Sequence, residues 1–172
     1  MIDTFKLKNG KLLLTRAFKR DDFENLVTFF ARLRGNSMRF GIPQYYDRAR
    51  LEKLTGNLER DIILLALDED RIVGVAAIFG SHLLWLRCHG NFITYVHQDY
   101  QNQGLGTYLT RSILDEARCM GYHKVSLEVI AENIAGIKAY TKAGFVVEGR
   151  MKDDHFGDDE AYHDVVIMGI VL

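Results

Sequence analysis

Alternating apolar and polar positions predict a chain in which strands and helices follow each other in mixed order. Residues 61–67 and 72–79 form two nearly unbroken apolar runs joined by a charged turn, and residues 11–16 form a shorter strand-like segment before them. Unbroken apolar runs of this length are typical of strands buried on both faces, and the charged turn between them indicates a hairpin. We therefore predict a central hairpin within a larger sheet.

Apolar residues at three- and four-residue spacing predict helices on both sides of this hairpin. The first helix follows residues 11–16, with Asp21 as its N-cap candidate, and the second covers residues 47–54. The third runs from Leu105 to Met120. The fourth covers residues 133–142. The apolar positions at this spacing are Phe23, Leu26, Val27, Phe30 and Leu33 in the first helix and Leu105, Tyr108, Leu109, Ile113, Ala117 and Met120 in the third.

Further strands are predicted between and after these helices, at residues 91–96, 124–129, 145–152 and 161–171. A polar segment, residues 153–160, separates the last two. Residues 81–90 fit either an extension of the hairpin or a loop. This order of elements predicts one mixed α/β domain over residues 1–172, with an antiparallel front and a strand–helix–strand crossover behind.

A polar turn at residues 100–107 joins a predicted strand to a predicted helix. Gly104 and Gly106 lack a Cβ atom, so a ligand can approach the backbone, where the first N–H groups of a helix have no intrahelical partners. These groups and the helix dipole favour an anion such as a pyrophosphate. The same glycines also suit close packing of helix on strand, and the turn by itself leaves both interpretations open. The lysine-bearing phosphate loop is missing, and Leu109 stands where the dinucleotide motif requires glycine.

Length and charge restrict the kind of partner. The chain has 172 residues and a formal net charge of −1, with charges of both signs mixed along it. We expect a small or local partner, and neither nucleic acid nor a membrane, because no basic surface is indicated. The longest apolar run, residues 165–172, is far shorter than the roughly 20 residues of a membrane span, and residues 1–6 are not a secretory signal. Cytoplasmic localisation is the expectation.

Cysteines and histidines give no sign of a metal centre. Cys88 and Cys119 lack the density of a disulfide framework and the spacing of zinc ligands, and we expect a nucleophilic role for neither. The histidines at positions 123, 155 and 163 do not form a two-histidine, one-carboxylate pattern. We expect no bound metal.

Two spaced patterns together are much more specific than the turn alone. They read Gln-x-x-Gly-x-Gly and Asn-x6-Tyr-x3-Gly-Phe, and their fixed positions are Gln101, Gly104 and Gly106, then Asn133, Tyr140, Gly144 and Phe145. The strand, turn, helix, strand and helix that carry them resemble the GNAT (Gcn5-related N-acetyltransferase) superfamily. Detailed resemblance covers about residues 91–172, whereas the first half agrees only in element order. The resemblance implies a mixed, mostly antiparallel sheet with flanking helices.

The resemblance implies that acetyl-CoA lies between the strand ending at Val96 and the strand over residues 124–129, which splay apart. Its pantetheine arm would bond to the strand backbone and to Asn133, its pyrophosphate would rest on the turn, and Tyr140 would face the thioester sulfur. The implied cofactor-binding residues are Tyr95, Val96, His97, Gln101, Asn102, Gln103, Gly104, Leu105, Gly106, Thr107, Asn133 and Tyr140.

The implied reaction is direct attack by a primary amine in a ternary complex, with a polyamine, an amino-acid derivative or a protein amino group as acceptor. A backbone N–H near Val96 would stabilise the oxyanion, and Tyr140 would protonate the leaving thiolate. Many members carry a glutamate base where this chain has Asn91, which cannot take a proton. His89, Glu128 or a water chain could substitute, although a solvated histidine and a charge at a strand edge are equally ordinary structural roles.

Several interpretations stay open at the acceptor side. Arg39, Phe40, Tyr45 and Tyr46 could line a substrate cleft or simply cover the core, and the acidic segment 153–160 could attract a cationic amine or be a solvated hairpin end. Because Asn91 replaces the usual base, the alternative function is a non-catalytic acyl-CoA-binding or sensor domain. Exposed sheet edges also make a homodimer possible.

Overall fold

Strands and helices alternate along the part of the chain that the computed structural model describes, which comprises residues 2–35, 47–56, 59–81, 83, 86, 88–157 and 159–172. The strands are β1 (Ile2–Lys6), β2 (Leu12–Ala17), β3 (Ile62–Asp68), β4 (Arg71–Gly80), β5 (His89–Val96), β6 (Lys124–Ile130), β7 (Val146–Phe156) and β8 (Tyr162–Val171). The α-helices are α1 (Phe23–Ala31), α2 (Arg48–Leu54), α3 (Leu105–Cys119) and α4 (Ile134–Ala143), and short 3-10 turns cover Arg20–Asp22 and Gln98–Tyr100.

These strands form a single mixed sheet in the order β1-β2-β3-β4-β5-β6-β8-β7. All neighbouring pairs are antiparallel except β5 and β6, which run parallel. Their pairing is short, from His89 opposite Lys124 to Asn91 opposite Ser126. Beyond Asn91 the two strands separate, as the family resemblance implies. The sheet therefore opens into a cleft in its middle.

Each face of the sheet carries its own hydrophobic core. Helices α3 and α4 cover one face, where Leu109 and Ile113 pack with Phe92 and Leu127. Helices α1 and α2 cover the other, where Phe30 packs with strand residues that include Tyr95. Strands β3 and β4 lie between the two cores, so nearly every residue in them is buried. This explains the unbroken apolar runs and confirms the predicted central hairpin.

The largest departures from the sequence predictions are at the sheet edges. Strand β1 was not predicted, and it forms because its backbone pairs with β2 although four of its five residues are exposed. Strand β7 extends through residues 153–156, which were assigned to a polar loop. Both are edge strands that are exposed along most of their length, so they lack the burial that leaves an apolar pattern in inner strands. Met120, which was predicted to belong to the apolar face of the third helix, follows the end of α3 and is 43% exposed.

Asp22, and not the predicted Asp21, anchors the start of α1. Its carboxylate accepts two hydrogen bonds from the Arg16 guanidinium, at 2.6 and 2.7 Å, and a third from the Lys19 backbone N–H at 2.7 Å. Asp22 is only 7% exposed. These donors, Arg16 first, hold the pKa of the Asp22 carboxyl below its usual range. The pair ties α1 to strand β2.

None of the described helices is both long enough and apolar enough to cross a membrane.

Candidate active site

The cleft between β5 and β6 brings most of the predicted site residues together. It has a volume of about 540 Å³, which is within the range of small-molecule sites, and the first turns of α3 and α4 complete its walls. The predicted residues that line it are Tyr95, Val96, Gln101, Asn102, Gly104, Gly106, Thr107, Glu128, Asn133 and Tyr140. Four others, His89, His97, Gln103 and Leu105, do not belong to the described lining.

The turn before α3 presents a set of open backbone donors. Gly104 caps the helix with a φ of +87°, and Asn102 has a φ of +60°, so the chain curls tightly ahead of the helix. Within the described part of the chain, the backbone N–H groups of residues 103–107 donate to no acceptor. Leu105 is fully buried beneath them and contributes only its backbone. The backbone N–H groups of residues 103–107, here called the cradle, thus form the donor set that a pyrophosphate requires, and the residues present fit that group.

Gln103 contributes a buried polar atom to the same turn. Its side-chain Oε1 has no hydrogen-bond partner among the described residues. An unpaired buried oxygen is costly, and without a partner this one does not help to hold the turn.

His97 lies behind the cleft and serves the scaffold. It is 4% exposed, its backbone N–H donates to the Val73 carbonyl at 2.9 Å, and its Nε2 lies 3.0 Å from the Arg71 guanidinium. Burial, and then the charge of Arg71, lower the pKa of His97. The neighbouring Gln98 bonds to the Arg32 carbonyl and the Arg34 N–H, so this corner joins the end of β5 to the end of α1.

Tyr140 projects from α4 into the cleft. Its ring packs edge-on against Phe92 and Phe145, at centroid distances of 5.9 and 6.2 Å. Its hydroxyl makes no hydrogen bond with any residue in the described ranges. Burial raises the pKa of Tyr140 to about 12. The hydroxyl is therefore protonated at neutral pH and has both a donor and an acceptor to offer a ligand.

Asn133 caps α4 and also faces the cleft. Its Oδ1 accepts a hydrogen bond from the Gly136 backbone N–H at 2.9 Å, while its amide NH₂ has no partner among the described residues. A Cβ atom at position 136 would approach the Asn133 side chain to 2.7–3.0 Å, so a side chain there would displace the Asn133 cap. One side chain thus begins the helix and keeps a donor available to a ligand.

The two candidate bases occupy different places on one face of the sheet. Side chains alternate along a strand. Glu128 therefore points away from its neighbours Leu127 and Val129, which join the α3-side core, and it is exposed in the cleft wall. His89 lies on the same face of β5 as Ile93 and Tyr95 and so faces the α1 side, but it lies where β5 and β6 are still paired. Of the two, Glu128 is at the open part of the cleft.

Lys8 and Lys142 also line the cleft, and sequence analysis missed both. Lys8 lies in the turn after the unpredicted strand β1, where no periodicity or motif marks it. The predicted acceptor-side residues lie outside the described residues; they are Arg39, Phe40, Tyr45 and Tyr46.

The described chain contains no group of three or more His, Cys, Asp or Glu side chains placed to hold a metal ion. Cys88 and Cys119 are free, and Cys119 is exposed.

Comparisons with known proteins agree with this geometry. The model of the acetyltransferase (GNAT) family matches residues 27–145, more than half of the chain. The chain is 32% identical over 93 residues to the L-amino acid N-acyltransferase MnaT of Escherichia coli, an alignment that covers 51% of this chain and 52% of that protein. It is 35% identical over 77 residues to the [ribosomal protein bS18]-alanine N-acetyltransferase of E. coli, which covers 45% and 51% of the two chains.

These matches span about half the length of the two relatives. A solved structure extends the similarity to the whole fold. The crystal structure of a GNAT-family acetyltransferase from Streptococcus pneumoniae superposes with a TM-score of 0.79 at 26% identity, covering 93% of this chain and 99% of that one. The family model, the sheet that splays between β5 and β6 and the glycine turn before α3 lead to the same conclusion: the chain belongs to the GNAT acetyltransferase family.

Proposed function

We propose that this protein is an acetyl-CoA-dependent N-acetyltransferase that transfers an acetyl group to a primary amine. One observation carries the proposal: the Tyr140 hydroxyl, free of partners among the described residues, lies in the same cleft as the open amides of residues 103–107. An anion cradle and a protonated hydroxyl in one groove suit a cosubstrate that carries a pyrophosphate and a reactive sulfur.

Acetyl-CoA supplies an acetyl group activated as a thioester. The amides of residues 103–107 hold the phosphate end, and the free amide of Asn133 bonds to the arm between the phosphates and the sulfur. The edge of β5 that separates from β6 beyond Asn91 runs beside the same arm. An acyl carrier is thus held along its length, which fixes the reacting carbon relative to Tyr140.

Three groups of the chain then take part in the acetyl transfer. A backbone N–H near Val96 stabilises negative charge on the carbonyl oxygen, and Glu128 accepts the proton that the ammonium loses before the neutral amine attacks. Tyr140 donates a proton to the departing thiolate as the C–S bond breaks, and the proton that the new amide nitrogen releases restores the Tyr140 hydroxyl. Glu128 is preferred over His89 because it lines the open cleft whereas His89 does not. An α-amino group with a pKa near 8 is only about one part in ten neutral at pH 7, so a proton acceptor increases the reactive fraction of the amine.

The acceptor is proposed to be the α-amino group of an amino acid, either free or in a protein. The names of the two E. coli relatives support this class, since one acts on L-amino acids and the other on an alanine of a ribosomal protein. We propose the cytoplasm as the site of action, which the two free cysteines support.

Release of free CoA thiol from acetyl-CoA, measured across a panel of amino acids, polyamines and alanine-ended peptides, tests the proposal. We expect amine-dependent thiol release for at least one amino-acid or peptide class. If acetyl-CoA binds in a parallel titration but no amine releases thiol, the protein is a non-catalytic acyl-CoA sensor. If acetyl-CoA does not bind, both functions are wrong.

A further inference from the structure

We propose that Lys8, in the turn between β1 and β2, is a ligand for the pyrophosphate of CoA. Its Nζ donates a hydrogen bond to the Asn102 carbonyl at 3.1 Å, and its side chain lines the cleft beside Gly104 and Gly106. An ammonium has three donors, so two are left for an anion at the turn. The inference rests on the proposed function, because it adds a residue to the same cosubstrate site.

Hydrogen bonds within its own turn hold Lys8 in place. The Leu7 N–H donates to the Lys11 carbonyl at 2.8 Å, and the Gly10 N–H donates to the Leu7 carbonyl at 2.9 Å. The Asn9 side chain accepts from the Lys11 N–H at 3.1 Å. Three hydrogen bonds thus fix the backbone of the turn that carries Lys8.

Strand β1 is also attached directly to the first turn of α3. The Phe5 ring stacks on Tyr108 at a centroid distance of 4.4 Å, and the Tyr108 hydroxyl donates to the Asp3 carboxylate at 2.8 Å. Tyr108 follows directly on the cradle residues. The strand before Lys8 and the cradle are therefore parts of one packed unit, which fixes where the lysine stands relative to the open amides.

Lys8 adds a positive charge to a turn whose other donors are neutral. The cradle amides are neutral dipoles, whereas a pyrophosphate is an anion, and Lys8 and Lys142 are the cations among the described residues of the cleft wall. Lys142 comes from α4 on the opposite side. Only Lys8 is bonded to the turn itself, and a lysine acts on phosphate as a compact point charge.

Isothermal titration of the full chain with CoA, dephospho-CoA and pantetheine tests the role. Dephospho-CoA keeps the pyrophosphate and lacks the 3′-phosphate, and pantetheine lacks both. We compare the unmodified chain with Lys8→Gln, with Lys8→Arg, and with Lys6→Gln as the matched control, because Lys6 is an exposed lysine outside the cleft lining.

Lys8→Gln is expected to weaken CoA and dephospho-CoA equally, by about tenfold at low salt, since the lost contact is charged but partly solvated. Pantetheine binding is expected to be unchanged, Lys8→Arg to keep most of the affinity and Lys6→Gln to match the unmodified chain. Unchanged CoA affinity in Lys8→Gln would overturn the inference, as would a loss confined to CoA or an equal loss for pantetheine. Failure of the unmodified chain to bind CoA would overturn the proposed function together with it.

Discussion

The side-chain amide of Gln101 donates a hydrogen bond to the backbone carbonyl of Val96, with 3.1 Å between Nε2 and the oxygen. This bond joins the end of β5 to the start of the turn, so the strand that borders the cleft and the amides that close it are held in one geometry. We therefore expect Gln101 to affect ligand binding through the backbone that it positions.

Replacing Gln101 with leucine is expected to weaken CoA binding about two- to tenfold, which is the range for one neutral hydrogen bond. Calorimetric titration measures the change. Gln103→Leu is the matched control, because the Gln103 Oε1 has no partner among the described residues and its backbone N–H is preserved. If the Gln103 variant loses more affinity than the Gln101 variant, the bond to Val96 is not what shapes the turn.

Tyr140→Phe is expected to lower turnover by about tenfold to a thousandfold, the scale of one lost general-acid contact, while acetyl-CoA affinity barely changes. Stability should be unaffected, since the hydroxyl makes no hydrogen bond to the described residues and the ring keeps its packing on Phe92 and Phe145. Steady-state kinetics with saturating acetyl-CoA give the comparison, and Tyr162→Phe, at a 67% exposed tyrosine, is the control. Unchanged turnover would remove Tyr140 from the chemistry.

Glu128→Gln and His89→Gln separate the two candidate bases. We expect Glu128→Gln to reduce kcat/KM for the amine by about a hundredfold near neutral pH, a usual loss for a general base, and His89→Gln to change it little. The deficit of Glu128→Gln should shrink at alkaline pH, where the free amine is already neutral. A large loss in His89→Gln with a normal Glu128→Gln would reverse the assignment.

Gly104 and Gly106 are expected to respond differently to alanine. Gly104 has a φ of +87°, a left-handed conformation that costs an L-residue about 1–2 kcal/mol, so Gly104→Ala should lower the free energy of unfolding by that amount. Gly106 lies inside α3, and a Cβ there meets Val96 at an ordinary 3.7 Å. Gly106→Ala should therefore leave the stability unchanged or raise it by up to about 1 kcal/mol. Urea unfolding measures both, and equal losses would contradict the helix-cap geometry.

The Arg16–Asp22 pair predicts a pH-dependent contribution to stability. The folded-state pKa of Asp22 is lowered, so its stabilisation is present above the unfolded-state pKa near 3.8 and is lost as the pH falls through the folded-state pKa. Asp22→Asn is expected to lower the free energy of unfolding by about 3 kcal/mol at pH 7, the low end for a broken buried pair, because the Arg16 side chain is partly exposed. Denaturant unfolding between pH 7 and acid should show this difference shrinking below about pH 4. Asp21→Asn, at an exposed neighbour, should have no such effect.

Local patterns were enough to predict the inner part of this fold. The unbroken apolar runs of β3 and β4 and the helical spacing of Leu105, Leu109 and Ile113 reflect burial, and burial leaves a periodic trace in the sequence. The glycine turn and the Asn133-to-Tyr140 spacing carried the resemblance to the family, and that resemblance implied which residues meet in the cleft.

Long-range neighbours were not predictable in the same way. Lys8 and Asn102 are 94 residues apart and meet only because the edge strand β1 pairs with β2 and packs on Tyr108. The burial of His97 depends on Arg71 and Gln98, which its own sequence context does not reveal as partners. Such contacts are set by the tertiary arrangement and leave no periodic signal.

A crystal structure of the protein with CoA would test the cleft assignment most directly. The predicted result is a CoA molecule between β5 and β6, with its pyrophosphate on the N–H groups of residues 103–107 and its sulfur within about 3.5 Å of the Tyr140 hydroxyl. CoA bound outside this cleft, or with its sulfur turned away from Tyr140, would contradict the proposed acetyl transfer at this site.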